Sequence, residues 1–334
     1  MENIIRQKEM ITAVPFSENL KGEWDQFVEY KSINSTFLHS RMFYDHNPLN
    51  AKEDASLIFY KEKKIIAVFP AVLYVKDGNL TLHSHLRATY GGIVVSKDVN
   101  VEIAVKLIEL IILFAKEKKV KQILVRNSFR IFHTDLCDET DYALWFHGFE
   151  IKSRELEIAV PICGNNKIIK SQYHNNTSRN IKKALRSVEV IVSNDFKAYW
   201  VLLEKCLLER HGKRPAHDFN SIRKLREHLS NDEILLFAAY YNHKLIGGIV
   251  VFNFAGLGLH SQYIASDSEF RHLNPVHAII DYVIDWGNKR GVKYLNLGMA
   301  NEDDGKKINL GLFRFKESFG GRGVLRETMY LNII

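Results

Sequence analysis

Lys316 stands between Phe315 and Phe319 in the glycine-bounded segment Gly311-Leu312-Phe313-Arg314-Phe315-Lys316-Glu317-Ser318-Phe319-Gly320-Gly321. Aromatic neighbours at this spacing can hold and partly desolvate an ammonium, which suits it to stabilising an anion that develops during a reaction. The same pattern also describes an ordinary lysine on a short amphipathic helix. His260 sits on a predicted strand beside Ser261 and Tyr263. Imidazole is tuned for proton transfer near neutral pH, while a lone strand histidine also reads as a structural residue. Glu302, Asp303 and Asp304 follow a strand ending in Gly298-Met299, where α/β folds place ligand-binding loops; a polar loop capped by Gly305 fits equally. Arg179, Lys182, Arg210, Lys213 and Arg214 gather in the middle of the chain. They are donors suited to phosphates, or a solvated surface.

Other chemistries lack their residues. Cys137, Cys163 and Cys206 are odd in number and form no C-x-x-C pair, so neither a disulfide framework nor a cysteine zinc site is expected. His133, Asp135, Cys137 and Asp138 lack the regular spacing of a structural zinc site, and no metal is expected. No Walker A loop, H-E-x-x-H helix or G-x-S-x-G elbow occurs, which leaves nucleotide hydrolysis, zinc proteolysis and serine hydrolysis unsupported.

The elements that must position these residues come in two sets. The 334 residues are 46% apolar and 25% charged, enough for two cores of roughly 150 residues each. Leu57–Phe69 reads as strand, charged turn, strand, and Leu236–Ile249 repeats that plan with Lys64 and Lys244 in equivalent places, 180 positions apart (244 − 64). Each hairpin precedes an amphipathic helix and a buried strand, Val120–Val125 in the first half and Val292–Leu297 in the second, offset by 172 (292 − 120). Similar order at similar offset points to duplication. We expect an α/β (α+β) fold of two domains, 1–160 and 161–334, each a mixed, mostly antiparallel sheet flanked by helices, with the junction near Ser153 to Pro161. The second-half helix opens with Asn274 as N-cap and Pro275 at its first position and ends at Gly291. Lys167 to Arg186 reads as one basic helix, with Arg179, Lys182, Lys183 and Arg186 on one side.

The net charge of +7 (46 basic, 39 acidic) favours anionic partners without choosing among them. The first residues, MENIIRQKEM, lack the layout of a secretory signal, and Val99–Lys118 is interrupted by Glu102, Lys106 and Glu109, so it does not supply a membrane span. A cytoplasmic location and no transmembrane segment are expected.

Five segments carry a resemblance to the FemAB-like, tandem-GNAT acyltransferases: His39-Ser40-Arg41-Met42-Phe43; Tyr90-Gly91-Gly92; Ser178-Arg179-Asn180-Ile181-Lys182-Lys183-Ala184; His260-Ser261-Gln262-Tyr263 with Phe270-Arg271-His272-Leu273-Asn274-Pro275; and Phe315-Lys316-Glu317-Ser318-Phe319-Gly320. Their order and spacing extend over nearly the whole chain. The resemblance implies two GNAT-like domains and transfer of an acyl or aminoacyl group from an activated carrier to an amine. It implies Lys316 and His260 as catalytic residues; Arg179, Lys182, Tyr90, Gly91 and Phe315 as substrate contacts, to which the residue chemistry above adds Arg210, Arg214 and Glu302; and Arg271 and Asn274 as contacts for the donor. The donor is expected to be acyl-CoA, or alternatively aminoacyl-tRNA, as a co-substrate, with no tightly bound cofactor. The acceptor is expected to be a small or sugar-linked amine, in cell-envelope or polysaccharide biosynthesis. Binding to tRNA and peripheral membrane contact remain open, DNA is not expected, and a non-catalytic binding module on the same fold is a further alternative. Two departures are visible. The helix opening at Pro275 lacks the glycine-rich turn of simple GNAT enzymes, and Tyr44-Asp45-His46-Asn47 lacks the lysine of muropeptide-modifying members.

Overall fold

The computed structural model describes residues 11–46, 53–86, 88–230 and 232–333. The first ten residues and Asn47, both read above, lie outside them. The chain forms two compact units, one of residues 1–153 with 327–334 and the other of residues 154–326. Antiparallel strand pairs predominate, with parallel pairs among them, and helices flank the sheets, as expected for a tandem α/β fold.

In the first unit, β1 (Ile11–Pro15) is followed by α1 (Lys21–Tyr30), α2 (Arg41–His46), β2 (Glu53–Asp54) and the hairpin β3 (Leu57–Lys61) and β4 (Lys64–Phe69). Next come β5 (Ala71–Lys76), β6 (Asn79–Ser84), β7 (Val94–Val95), α3 (Val101–Glu117), β8 (Gln122–Arg126), α4 (Glu139–Phe146) and the start of β9 (Glu150–Pro161). Alternation sorts the hairpin's side chains. Leu57, Phe59, Ala67 and Phe69 join a core completed by Ile103, Leu107, Ile108 and Ile111 of α3. Ile58, Ile65 and Val68 face Trp24, Phe27 and Val28 of α1. Each large side chain so buried contributes about 1.5–3 kcal/mol. Pro70 separates β4 from β5; with no N–H to donate to a ladder, it stands where the chain leaves the sheet β1-β3-β4-β7 for the one that holds β2, β5, β6 and β8. β6 and β8 are parallel, with α3 as their crossover.

The second unit takes the rest of β9, then α5 (Asn166–Ser171), α6 (Asn175–Ala184), β10 (Glu189–Ser193), α7 (Phe196–His211), α8 (Phe219–His228), β11 (Ile234–Tyr241), β12 (Lys244–Phe254) and β13 (Gly258–Ser266). It continues through α9 (Pro275–Asn288), β14 (Tyr294–Met299), β15 (Asn301–Glu302), β16 (Lys307–Ile308), α10 (Leu310–Glu317) and the first half of β17 (Arg322–Asn332), whose second half returns to the first unit. The strand order is β10-β11-β12-β13-β14-β9-β17. Ile279, Ile280, Val283 and Ile284 of α9 fill the core against Phe237, Ile249, Leu259 and Leu295. Gly287 lets α9 approach, since a Cβ there would lie 2.6 Å from Ile162 Cδ1.

The repeat is visible in detail. Both hairpins carry a register shift, between Phe59 and Tyr60 in one and between Ala239 and Tyr240 in the other, again 180 positions apart (239 − 59). Their turns use positive φ at Glu62 and at Asn242-His243, which matches the twist of the flanking strands.

Two local expectations change. The basic stretch is two helices, α5 and α6, because Tyr173 between them turns inward against Phe319 and bonds Asp281, while the His174 N–H donates to the Ser318 carbonyl. Arg186 lies beyond the end of α6. Asn274 does precede Pro275 at the start of α9, but in the left-handed region (φ 56°), and its side chain caps nothing. No helix among the described residues is long and apolar enough to cross a membrane.

Candidate active site

β13 and β14 run parallel and pair over three positions only, Gly258 with Tyr294, Leu259 with Leu295 and His260 with Asn296. Beyond them the strands part. β14 is bulged there: its register with β9 shifts between Asn296 and Met299, and Gly298 adopts φ 73°, which glycine reaches without steric cost. Asn296 stabilises the bulge by accepting the Gly298 N–H at 2.8 Å, and its amide donates to Glu157 at 2.5 Å. The bulge turns two carbonyls toward α10. Lys316 Nζ donates to Gly298 O at 3.0 Å and Met299 O at 2.6 Å.

Around these residues lies a buried polar cluster. Lys316, His260, Asn296, Glu155, Glu157 and Arg326 are each at most 9% exposed. Arg326 pairs with Glu157 at 2.9 Å and with Glu155 at 2.7 Å. Two cations and two carboxylates thus balance, which is what allows them to remain buried. Burial lowers the Lys316 ammonium to about 8, against the opposing pull of Glu157. A cation with one N–H to spare, close to its titration point, can steady a developing oxyanion. Burial also pushes His260 down to about 4 despite Glu157. That corrects the expectation of an imidazole tuned near neutrality: His260 is a neutral, weakly basic ring, stacked on Phe254. Phe315 and Phe319 do not enclose the lysine's charge. They pack with His277 and Tyr173, so main-chain carbonyls, rather than rings, hold Lys316.

The other expected site residues are distributed unevenly. Arg210 donates to the carbonyl of Ser266 at the end of β13, beside the strands' open ends. Arg271 is exposed in the turn before α9. Asn274's carbonyl takes the N–H groups of His277 and Ala278. Arg179 and Lys182 are exposed on α6, Arg179 bonded to Asn176, and Arg214 is exposed on the loop before α8. Glu302 pairs with Lys307 across β15 and β16. Tyr90 and Gly91 belong to the first unit. Tyr90 is buried, stacked on Phe129, and a Cβ on Gly91 would meet His85 Cβ at 2.7 Å. Sequence reasoning missed Glu155, Glu157, Asn296 and Arg326. One trace was visible: glutamates alternating with Leu156 and Ile158 on one strand.

Parallel strands that part over a bulge, with a crossover helix between them, form a crevice of the kind in which α/β folds hold ligands. Residues 171–316, which contain both strands and Lys316, match the model of the acetyltransferase (GNAT) domain family. The chain carries a GNAT acetyltransferase domain. Its class of activity is acyl transfer. No curated protein matches the chain in sequence. In structure, the chain is similar to FemX, at TM-score 0.70 and 14% identity over 96% of this chain and 97% of that one. It is also similar to L-PGS from Bacillus licheniformis (TM-score 0.59, 11% identity, 92% and 90%). A tandem GNAT protein from the clavulanic acid biosynthesis pathway shares the fold as well (TM-score 0.55, 10% identity, 97% and 98%). The tandem arrangement read from the repeat is therefore the fold of known tandem GNAT proteins, with the GNAT domain in the second half.

Proposed function

We propose that the protein is an N-acyltransferase that moves an acyl group from a thioester of the acyl-CoA type to the amine of a small or sugar-linked acceptor, with the reacting carbonyl over Lys316. The observation that carries this reading is the buried Lys316 ammonium, fixed on the Gly298 and Met299 carbonyls at the open ends of β13 and β14. The neutral amine attacks the carbonyl carbon, forming the C–N bond. Charge collects on the carbonyl oxygen, where the third N–H of Lys316 receives it. The C–S bond then breaks, and the amine's proton leaves with the thiol. Asn296 and Glu157 keep the bulge and the lysine in place; Arg210 and Arg271 contact the donor's phosphates. The test is thiol release from a panel of acyl-CoAs with amino-sugar acceptors. Release that depends on acceptor and on Lys316 supports the reading. No release, with no acyl-CoA raising Tm, removes it.

A second reading, aminoacyl transfer from charged tRNA, is favoured by one observation. Pro275 has no N–H, and those of His277 and Ala278 are taken by Asn274, so the start of α9 offers a thioester's pyrophosphate little. Arg179, Lys182 and Lys183, exposed on α6, would instead meet a polynucleotide. Charged tRNA should then bind with an affinity that falls steeply with salt; a flat salt response excludes it. FemX and L-PGS share the fold without deciding the donor. In either case Lys316→Ala separates an enzyme from a binding module, because only an enzyme loses turnover while staying folded.

A further inference from the structure

The basic stretch that forms α5 and α6 has no part in the chemistry at Lys316. From position 162 to position 188 the chain carries six basic residues, Lys167, Lys170, Arg179, Lys182, Lys183 and Arg186, and no Asp or Glu. Elsewhere the basic residues number 40 (46 − 6) and the acidic residues 39. Nearly all of the net charge of +7 therefore sits on this one stretch.

The fold turns this charge outward. α6 buries Thr177, Ile181 and Ala184, three and four residues apart, which leaves Arg179, Lys182, Lys183 and, just past its end, Arg186 on the exposed side. Lys170 is neutralised by Asp281 and Asp285, at 2.9 and 2.8 Å, and Arg179 bonds the neutral side chain of Asn176. Lys167, Lys182, Lys183 and Arg186 have no ion-pair partner among the described residues. Unpaired like charges repel one another, and an anionic surface relieves that repulsion. The basic surface continues past the stretch. The Ile162 N–H donates to the Lys293 carbonyl and the Gly164 N–H to Asn288, which brings exposed Lys289 and Lys293 beside the start of α5.

A second observation is apolar. Two aliphatic side chains stand exposed among these cations, Ile168 on α5 at 62% and Leu185 at the end of α6 at 55%. A phosphodiester backbone offers such side chains nothing, whereas the acyl boundary beneath lipid headgroups buries them. Nucleic-acid bases stack on aromatic rings, yet the stretch has no Phe or Trp and its one Tyr, Tyr173, is buried. The Thr177 hydroxyl donates to the Ser318 hydroxyl at 2.7 Å, two residues past Lys316, so this face is braced against the end of α10 and borders the candidate active site.

We propose that the outer face of α5 and α6 docks on an anionic lipid bilayer. Lipid phosphates meet Lys167, Lys182, Lys183 and Arg186, while Ile168 and Leu185 enter the headgroup layer. A cluster of about four to eight basic residues on an amphipathic helix is a recurring means of such attachment. The docking needs neither donor nor acceptor and goes beyond the acyl-transfer reading; charged tRNA would compete for the same cations.

The test is flotation of the full chain with vesicles of phosphatidylglycerol and phosphatidylcholine, against vesicles of phosphatidylcholine alone. Binding to the anionic vesicles, weakening as salt is raised, is expected. Lys182→Gln/Lys183→Gln should weaken it roughly tenfold or more with Tm unchanged. Lys116→Gln/Lys224→Gln, which removes the same charge from exposed positions on α3 and α8, should leave it intact. Ile168→Ser should weaken it as well, at low and at high salt. Equal losses in the two double variants would reduce the effect to net charge, and an unaffected Ile168→Ser would remove the bilayer as the occupant; either result overturns the proposal. So does binding of uncharged tRNA through Lys182 and Lys183 with no binding to the anionic vesicles. None of these readouts involves thiol release, so failure here leaves the acyl-transfer reading untouched.

Discussion

Lys316 shows how a single residue's chemistry depends on what surrounds it. Removing the ammonium with Lys316→Ala leaves the Gly298 and Met299 carbonyls to water but takes away the charge that meets the oxyanion. We expect turnover to fall on the order of a hundredfold or more, with the circular dichroism spectrum unchanged. The pH profile gives a sharper readout. If the charged form is required, turnover declines as pH rises through about 8, where burial places this lysine. In Lys316→Arg, which stays protonated, any residual activity should lack that decline; a decline of the same position in both proteins assigns it to another group. Arg326 is tested through stability. Arg326→Met leaves Glu155 and Glu157 buried without their partner, which should cost about 3–5 kcal/mol in urea unfolding. The companion Glu157→Gln should cost less, because the amide retains a partner in Asn296 and leaves no charge stranded.

At the scale of elements, the decisive features are a bulge and a close approach. β14 presents carbonyls to α10 only because Gly298 takes a left-handed backbone and Asn296 bonds it there. α9 reaches the sheet only because Gly287 has no side chain. Gly287→Val would drive methyl groups into Ile162 and Leu259, and overpacking of this kind costs typically 1–3 kcal/mol. The midpoint of urea unfolding should drop accordingly, and Gly22→Ala on α1, where nothing lies within 4 Å, should show no such loss. The sequence anticipated the elements themselves well. The hairpins, the crossover helices and the paired strands lie where alternation and turn residues placed them. It erred at Lys167 to Arg186, where helical charge spacing continues but Tyr173 is drawn into the core, a tertiary preference that local periodicity does not encode.

For the whole molecule, acid should be destabilising. His133, His217 and His260 are buried and lowered to about 4, and His83 and His85 to about 3. Above pH 6.5 these imidazoles are neutral in both folded and unfolded chains. As pH falls below 6.5, only the unfolded chain takes up their protons, so stability declines across the window down to about pH 4 and further toward 3. A Tm that is flat between pH 7 and 4.5 would contradict this burial. The repeat is the other property of the whole chain. The shared register shift at offset 180 supports one ancestral plan in both halves, and Pro70 shows how the first half departed from it, by breaking into two strands what remains a single β12 in the second.

The sequence by itself gave grounds for the class of fold, the two-part repeat and a helix within Val99–Lys118, and its resemblance to a family pointed to Lys316 and His260. The first three follow from local patterns of apolar alternation, turn chemistry and order along the chain. The sequence did not determine what each residue does. Whether Lys316 faces rings or carbonyls, whether His260 is basic, and that Glu155, Glu157, Asn296 and Arg326 stand beside them depend on strands distant in sequence. Only the tertiary structure decided these, because protonation and charge pairing are set by burial and by neighbours that packing, rather than sequence order, brings together.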